Sequence, residues 1–148
     1  ELDDLRLLSK LHDIGKIGVD DQILNKPGKL TEEEWAEMKK HPEIGHRIAM
    51  STPNLEHIAK FILHHHERWD GKGYPMGLKG RETPLVSRIL AVADAYDAMI
   101  GNRVYKKAMP WELALKEIEA NAGTQFDPDI ARLFVELIYR EKREERHI

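Results

Sequence analysis

Apolar residues recur at every third or fourth position along most of this chain, and that spacing is its strongest constraint on the fold. In LDDLRLLSKL (2–11), leucines three residues apart share one face of a helix that should end near His12. TEEEWAEMKK begins with Thr31, a preferred helix cap, and carries Glu34 at the capping-box position. No segment alternates apolar and polar residues as a half-buried strand does. The sequence therefore predicts an all-α protein.

Several further helices and one long loop are predicted in the rest of the chain. The helices are expected to begin at Asn54, Pro84, Pro110 and Asp127. Leu85 should lie in the core. Gly123 should end the helix that begins at Pro110, and the charged tail at about 141–148 should fray. Residues 68–83 contain four glycines and should form a structured loop. Because the first residue already lies in a helical pattern, we expect residues 1–148 to be one domain that lacks its N-terminal helices.

Composition excludes several classes of function. The net charge of -3 over 148 residues argues against a protein that binds a nucleic-acid polymer, which would carry a basic excess. No apolar run approaches the roughly 20 residues of a membrane span. With no cysteine, disulfides, thiolate catalysis and Cys-type zinc sites are excluded. A cytoplasmic location is expected, and any metal must be held by histidine and carboxylate.

Potential metal ligands occur at four places in the sequence. They are the pair His12–Asp13, the single His41, the pair His65–His66 and the single Asp94. Asp94 lies in the apolar stretch ILAVADAYDAM, where a carboxylate needs a partner to offset its desolvation. Neutral imidazoles with carboxylates and no sulfur form a ligand set for iron, manganese, zinc or nickel.

The adjacent pairs point to two metal ions rather than one. Neighbouring helical residues project about 100° apart, so a pair such as His12–Asp13 can send one ligand to each ion, or Asp13 can bridge them. Two ions about 3.5–4 Å apart are the usual device for phosphoester hydrolysis. Each candidate alone has a simpler explanation: His41 as a surface or capping residue, His12–Asp13 as a helix cap, and His64 as a solvent-exposed neighbour of two ligands.

Two long motifs and several shorter ones resemble a known family. HDIGK (12–16) resembles the signature of the HD superfamily of metal-dependent phosphohydrolases, and HHERWDGKGYP (65–75) resembles that of its HD-GYP subgroup. The likeness extends through KPGKLTEEEW, HPEIG, RILAVADAYDAM and GTQFDPDI, and so covers nearly the whole chain. It implies a helical domain around a metal site. It also implies a bacterial signalling enzyme that hydrolyses cyclic di-GMP to linear pGpG and, in a further step, GMP.

The resemblance assigns roles to individual residues. The implied metal ligands are His12, Asp13, His41, His65, His66 and Asp94, and the implied catalytic residues are His12, Asp13 and Lys16. The implied substrate-binding residues are Lys16, Tyr74, Asp97, Arg103 and Lys106. From the residues alone, Arg103 and Lys106 could equally form a solvated basic turn. Val104 stands where the family usually has proline, which could loosen the loop that holds Arg103.

The expected cofactors are two divalent ions, iron or manganese first and zinc or nickel as alternatives. A third ion would need ligands from a helix upstream of this sequence. The expected partners are cyclic di-GMP, an upstream sensory or receiver domain, a GGDEF-type cyclase, and a second copy of the chain. The cyclase is expected to contact the loop that contains Gly73, Tyr74 and Pro75, called the GYP loop below. Two rival hypotheses remain: a signalling adaptor that binds without turnover, and an enzyme for another cyclic dinucleotide such as cyclic GMP-AMP.

Overall fold

The computed structural model describes residues 2–101 and 107–146, and within these ranges the chain is helical with no strand. The α-helices are α1 (Leu2–Leu11), α2 (Asp21–Leu24), α3 (Glu32–Met38), α4 (His41–Met50), α5 (Ala59–Leu63), α6 (Leu85–Ile100), α7 (Trp111–Ala120) and α8 (Pro128–Arg146). Short 3₁₀ helices cover Ile14–Gly18, Glu56–Ile58 and Gly80–Glu82. The predicted all-α fold class is confirmed.

The cap predicted at Thr31 is present. The Thr31 hydroxyl accepts a hydrogen bond from the Glu34 amide at 3.1 Å, and the Glu34 carboxylate accepts one from the Thr31 amide at 2.8 Å. Both bonds satisfy amides that the first turn of a helix leaves without partners. Helix α3 ends at Met38, and α4 begins at His41 with Pro42 in its first turn. This abrupt restart fixes His41 at a helix terminus.

Two predicted helix boundaries and one predicted core residue are wrong. Asn54 does not cap a helix, because its φ of 70° is left-handed and the chain passes through a 3₁₀ turn before α5 begins at Ala59. Leu85 is 53% exposed, whereas the next two residues of α6 face the core: Val86 packs against the first apolar cluster and Ser87 is buried. Helix α7 ends at Ala120 with Asn121 as its cap, and Gly123 comes later, in a tight turn at φ 88°.

The charged C-terminal segment is helical rather than frayed over residues 141–146, since α8 continues to Arg146. Glutamate, lysine and arginine are good helix formers, and Lys142 pairs with Glu145 one turn away at 3.6 Å. The start of α8 is as predicted: Asp127 Oδ1 accepts hydrogen bonds from the amides of Asp129 and Ile130. The second oxygen of Asp127 accepts a hydrogen bond from Arg88 Nη1 at 2.6 Å, which ties α8 to α6.

Two apolar clusters form the core, and α6 takes part in both. The first cluster joins α1, α4 and α5 through buried residues that include Leu8, Ala49 and Ile62. The second joins α7 and α8. Leu90 of α6 belongs to the first cluster and Val92 to the second. Asp94 follows directly, so it lies where the two halves of the protein meet. None of the helices that the structure describes is long and apolar enough to cross a membrane.

Candidate metal centre

The six predicted ligands come from four separate segments and meet at one place. His12 follows the last residue of α1, and Asp13 precedes the first 3₁₀ helix. His41 opens α4, His65 and His66 follow α5, and Asp94 lies in α6. Two groups have ligand atoms that all lie within 4.8 Å of one another: Asp13, His41, His65 and His66 in one, and His12, Asp13 and Asp94 in the other. Asp13 is common to both.

Glycine at position 15 allows the HDIGK segment to approach α4. A Cβ on Gly15 would lie 1.8 Å from the carbonyl oxygen of His41 and 2.6 Å from the amide of Gly45. No side chain fits in that space, because real Cβ contacts are never so short. Because Gly15 has no side chain, the backbone beside Asp13 packs against the turn that carries His41.

Three of the imidazoles are held in one tautomer by the main chain. The Nδ1 atoms donate to carbonyl oxygens: His41 to Met38 at 2.8 Å, His65 to Ile62 at 2.6 Å, and His12 to Ser9 at 3.0 Å. A carbonyl oxygen can only accept, so each Nδ1 carries a proton. In His41 and His65 the Nε2 lone pair therefore points into the site, and Nε2 of His12 presents a lone pair once its second proton is released. Metal-binding histidines characteristically have this arrangement of the second ring nitrogen.

In the first group, the side-chain atoms that face one another are hydrogen-bond acceptors without a donor from the described part of the chain. Nε2 of His41 lies 3.3 Å from Nε2 of His65, and the two atoms lie 3.4 and 3.6 Å from Asp13 Oδ1. Asp13 Oδ1 is buried and has no donor in hydrogen-bond geometry among the described residues. Lone pairs facing one another in a buried space repel unless a cation lies between them. The residues therefore fit a metal ion.

The second group lies on the other side of Asp13. Nε2 of His12 is 3.2 Å from Asp13 Oδ2 and 3.3 Å from Asp94 Oδ1. The His12 side chain is only 12% exposed, and its Nε2 is a buried atom without a hydrogen-bond partner among the described residues. Asp13 thus turns one oxygen toward each group. Asp94 has in His12 the partner that its apolar helix requires.

The charges of the cluster move three pKa values strongly. Burial opposes ionisation of Asp13, but the neighbouring His12 outweighs it and holds the pKa of the Asp13 carboxyl far below its usual range. Burial, together with neighbouring His65 and His41, lowers the pKa of His66 to about 3. Burial alone would lower the pKa of His12, yet Asp13 and Asp94 raise it to about 10. Asp13 and His66 are thus ready to bind a cation, whereas His12 must first release a proton.

A buried glutamate that sequence reasoning missed holds the GYP loop against the ligands. The carboxylate of Glu67 accepts hydrogen bonds from the amides of Met76 at 3.1 Å and Leu78 at 3.0 Å. It also lies 3.0 Å from Nδ1 of His64. The prediction that His64 is solvent-exposed is wrong, since its side chain is 15% exposed and paired with Glu67. A carboxylate directly after three histidines was the available signal.

The GYP loop contributes Tyr74 as one wall of the site. Its ring stacks on His66 with centroids 5.1 Å apart and planes 16° from parallel. A Cβ on Gly73 would lie 2.4 Å from the Arg68 amide, so glycine is needed for the loop to fold back this far. Burial, with the charges of Asp13 and Asp94, raises the pKa of Tyr74 to about 12, so the hydroxyl is neutral. Trp35 and Lys39, which the sequence did not single out, flank this ring.

The other predicted substrate-binding residues lie outside the loop that carries Tyr74. Lys16 Nζ lies 3.4 Å from Asp13 Oδ2, beside the ligand groups. Asp97 is an exposed residue of α6, one turn beyond Asp94. Arg103, Val104 and Lys106 lie outside the described residues. A cavity of about 240 Å³ adjoins the centre and is lined by residues that include His66, Arg68, Asp94 and Gln125.

Comparison with known proteins identifies the family. A family model described as HD domain matches residues 1–130. A cyclic di-GMP phosphodiesterase of Thermotoga maritima is 46% identical over 150 residues, which cover 96% of this chain and 41% of that protein. A 3′3′-cGAMP-specific phosphodiesterase of Vibrio cholerae is 44% identical over 138 residues, which cover 92% of this chain and 26% of that protein.

The solved structures agree on the fold. An HD-GYP-type protein from Bdellovibrio bacteriovorus matches with a TM-score of 0.70 at 21% identity, over 92% of this chain and 43% of that one. The chain therefore belongs to the HD domain family, and the predicted HD-GYP membership is confirmed. It spans about two fifths or less of the length of the curated relatives described above.

Proposed function

We propose that this chain is a metal-dependent phosphodiesterase domain that hydrolyses cyclic di-GMP in bacterial second-messenger signalling. One observation carries the proposal: four imidazoles and two carboxylates converge as two ligand groups that share Asp13. Two adjacent ion sites are a device for phosphoester hydrolysis. Relatives named as cyclic di-GMP phosphodiesterases support the substrate class.

The ligand set suits two divalent ions. His41, His65 and His66 with Asp13 would hold one, and His12 with Asp13 and Asp94 would hold the other. Iron and manganese are the first candidates, with zinc and nickel as alternatives, because the set has imidazole and carboxylate but no sulfur. When bound, such ions activate water and neutralise charge on the phosphoryl group. A third ion would need ligands from a longer protein.

The residues around the ligands would position the phosphodiester. Lys16 carries a positive charge next to Asp13, where it can meet a phosphate oxygen. The neutral hydroxyl of Tyr74 can donate a hydrogen bond to another oxygen. Asp97, an exposed residue of α6, remains a candidate for contact with the substrate. Arg103 and Lys106 remain candidates for the second phosphate of the dianionic substrate. The products would be linear pGpG and, after a second hydrolysis, GMP.

A second substrate is favoured by a specific finding. Among the relatives are phosphodiesterases named as specific for 3′3′-cGAMP at 44% and 42% identity, close to the 46% of those named for cyclic di-GMP. Overall identity therefore does not separate the two substrates, and the choice belongs to contacts with the base. Five further expectations stay predictions: the adaptor hypothesis, the upstream sensory or receiver domain, the cyclase contact, the homodimer and the cytoplasmic location.

The test is turnover by the purified chain after chelation and reloading with a single metal. We expect iron(II) or manganese(II) to restore hydrolysis of cyclic di-GMP, with pGpG seen by chromatography before GMP. His66→Ala should abolish activity, while Asp129→Asn, at an exposed position on α8, should not change it. Tight binding of cyclic di-GMP without turnover under every metal would instead support the adaptor hypothesis.

A further inference from the structure

A second cavity, of about 360 Å³, lies outside the metal centre between α2 and α3. Leu24, Leu30 and Met38 contribute apolar walls, the indole of Trp35 lines one side, and Lys26 and Lys29 add positive charge. Its volume falls in the range of small-molecule sites, which are typically apolar with a few polar groups. None of the proposed metal ligands lines this cavity.

Trp35 connects the cavity to the metal centre. Its indole meets the ring of Tyr74 edge to face, with centroids 6.3 Å apart, and Tyr74 in turn stacks on His66. Lys39 Nζ lies 5.2 Å from the centroid of the same tyrosine ring. A molecule with a phosphate at the metal centre therefore meets Tyr74 first and Trp35 next. A nucleotide has this form, since its sugar separates the phosphate from the base.

We propose that Trp35 and the cavity beside it bind a nucleobase of the cyclic dinucleotide, and that Lys29 favours guanine. The inference rests on the proposed function. The indole is 46% exposed, so part of its surface is accessible to a ligand. A purine stacks on such a ring. Glu34 accepts a hydrogen bond from Lys26, whereas Lys29 is exposed at the rim. Guanine offers O6 and N7 as acceptors to a lysine, whereas adenine has a donor in place of O6.

Binding to the metal-free protein tests this inference apart from catalysis. The dissociation constant of cyclic di-GMP is measured by calorimetry in EDTA for the wild type, Trp35→Ala, Trp35→Phe and Trp35→Leu. Loss of one stacked base should weaken binding about 5- to 150-fold in the alanine variant. Phenylalanine should restore most of the affinity, and leucine, which keeps apolar volume without an aromatic face, should not. Leu137→Ala is the matched control, since Leu137 is 48% exposed on α8.

Each outcome decides the inference. Equal affinity of Trp35→Ala and wild type would overturn it, as would full rescue by leucine, which would indicate packing alone. Lys29→Met should reduce the preference for cyclic di-GMP over cyclic di-AMP, and an unchanged ratio would overturn the guanine assignment. A protein that binds through Trp35 yet hydrolyses no phosphodiester would contradict the proposed function and leave this inference standing.

Discussion

Asp94 Oδ1 lies 3.3 Å from Nε2 of His12, and this contact joins the middle of α6 to the end of α1. The two residues are 82 positions apart in the sequence, and each is the other's partner in an otherwise apolar setting. The contact also completes the second ligand group, because Asp13 faces the same nitrogen. The residues that stabilise the junction between the two halves of the core are therefore the ones that would hold metal.

Substitution of Asp94 should remove one ion and the activity together. We expect Asp94→Asn to lower metal content and abolish turnover, because an amide is a weaker ligand than a carboxylate and leaves the His12 site short of charge. Metal stoichiometry by mass spectrometry and hydrolysis assays on the same preparation check this. Asp129→Asn is the matched control. Full metal content with normal turnover in Asp94→Asn would sink the assignment.

Metal binding should release a proton from His12, so affinity should depend on pH. The folded pKa of His12 is about 10, above the ordinary value of 6.5, so between these values the metal-free site holds a proton that an ion must displace. Affinity should rise about tenfold per pH unit from 6.5 to 8. Calorimetric titrations in buffers of different ionisation enthalpy measure the protons released, and zero protons at pH 7.5 would contradict the expectation.

The same shift predicts how the stability of the metal-free protein varies with pH. A raised folded pKa stabilises the protein fully below the unfolded value of 6.5, and the contribution is lost as the pH rises through about 10. Urea unfolding of the chelated protein should therefore show a falling free energy of unfolding between these values. His12→Gln should flatten that slope. A slope unchanged by the substitution would assign it to other groups.

Glu67→Gln should loosen the GYP loop without removing a predicted ligand. The carboxylate of Glu67 accepts bonds from two loop amides, and bonds to a charged acceptor are worth about 1.5–3 kcal/mol. We expect a loss of stability of that order, a raised KM and unchanged metal content. Glu43→Gln, at an exposed position of α4, is the control. If the variant binds substrate as the wild type does, Glu67 does not position the loop.

The Arg88–Asp127 pair should matter far more than a similar pair at the surface. Asp127 has a side chain only 5% exposed, so Arg88→Met would leave a buried charge unpaired, at a cost of about 3–5 kcal/mol. The pair Arg132–Asp129 is 71% and 75% exposed, and Arg132→Met should cost less than about 1 kcal/mol. Chemical denaturation of both variants measures the difference. Similar losses would show that burial does not decide the strength of these pairs.

Much of the fold and of the ligand set could be predicted from the sequence because both depend on local patterns. Helical periodicity and the Thr31 and Asp127 caps are local, since each rests on residues within one or two turns. The six candidate ligands could also be selected, because imidazoles and carboxylates recur together at four places, although each alone has a simpler explanation such as a helix cap. Local patterns failed at Asn54, whose backbone is left-handed, and at Leu85, which is exposed at the start of α6.

The sequence by itself determined the secondary structure and the available chemistry: helices throughout, no cysteine, and histidines and carboxylates as the potential metal ligands. Only the tertiary structure decided how they are used. The Nε2 lone pairs point inward because main-chain carbonyls three residues back hold the Nδ1 protons, and Asp13 faces both groups because Gly15 lets the backbone approach α4. The placing of Trp35 against Tyr74 likewise depends on contacts between residues 39 positions apart. Such contacts arise from packing, which no local pattern records.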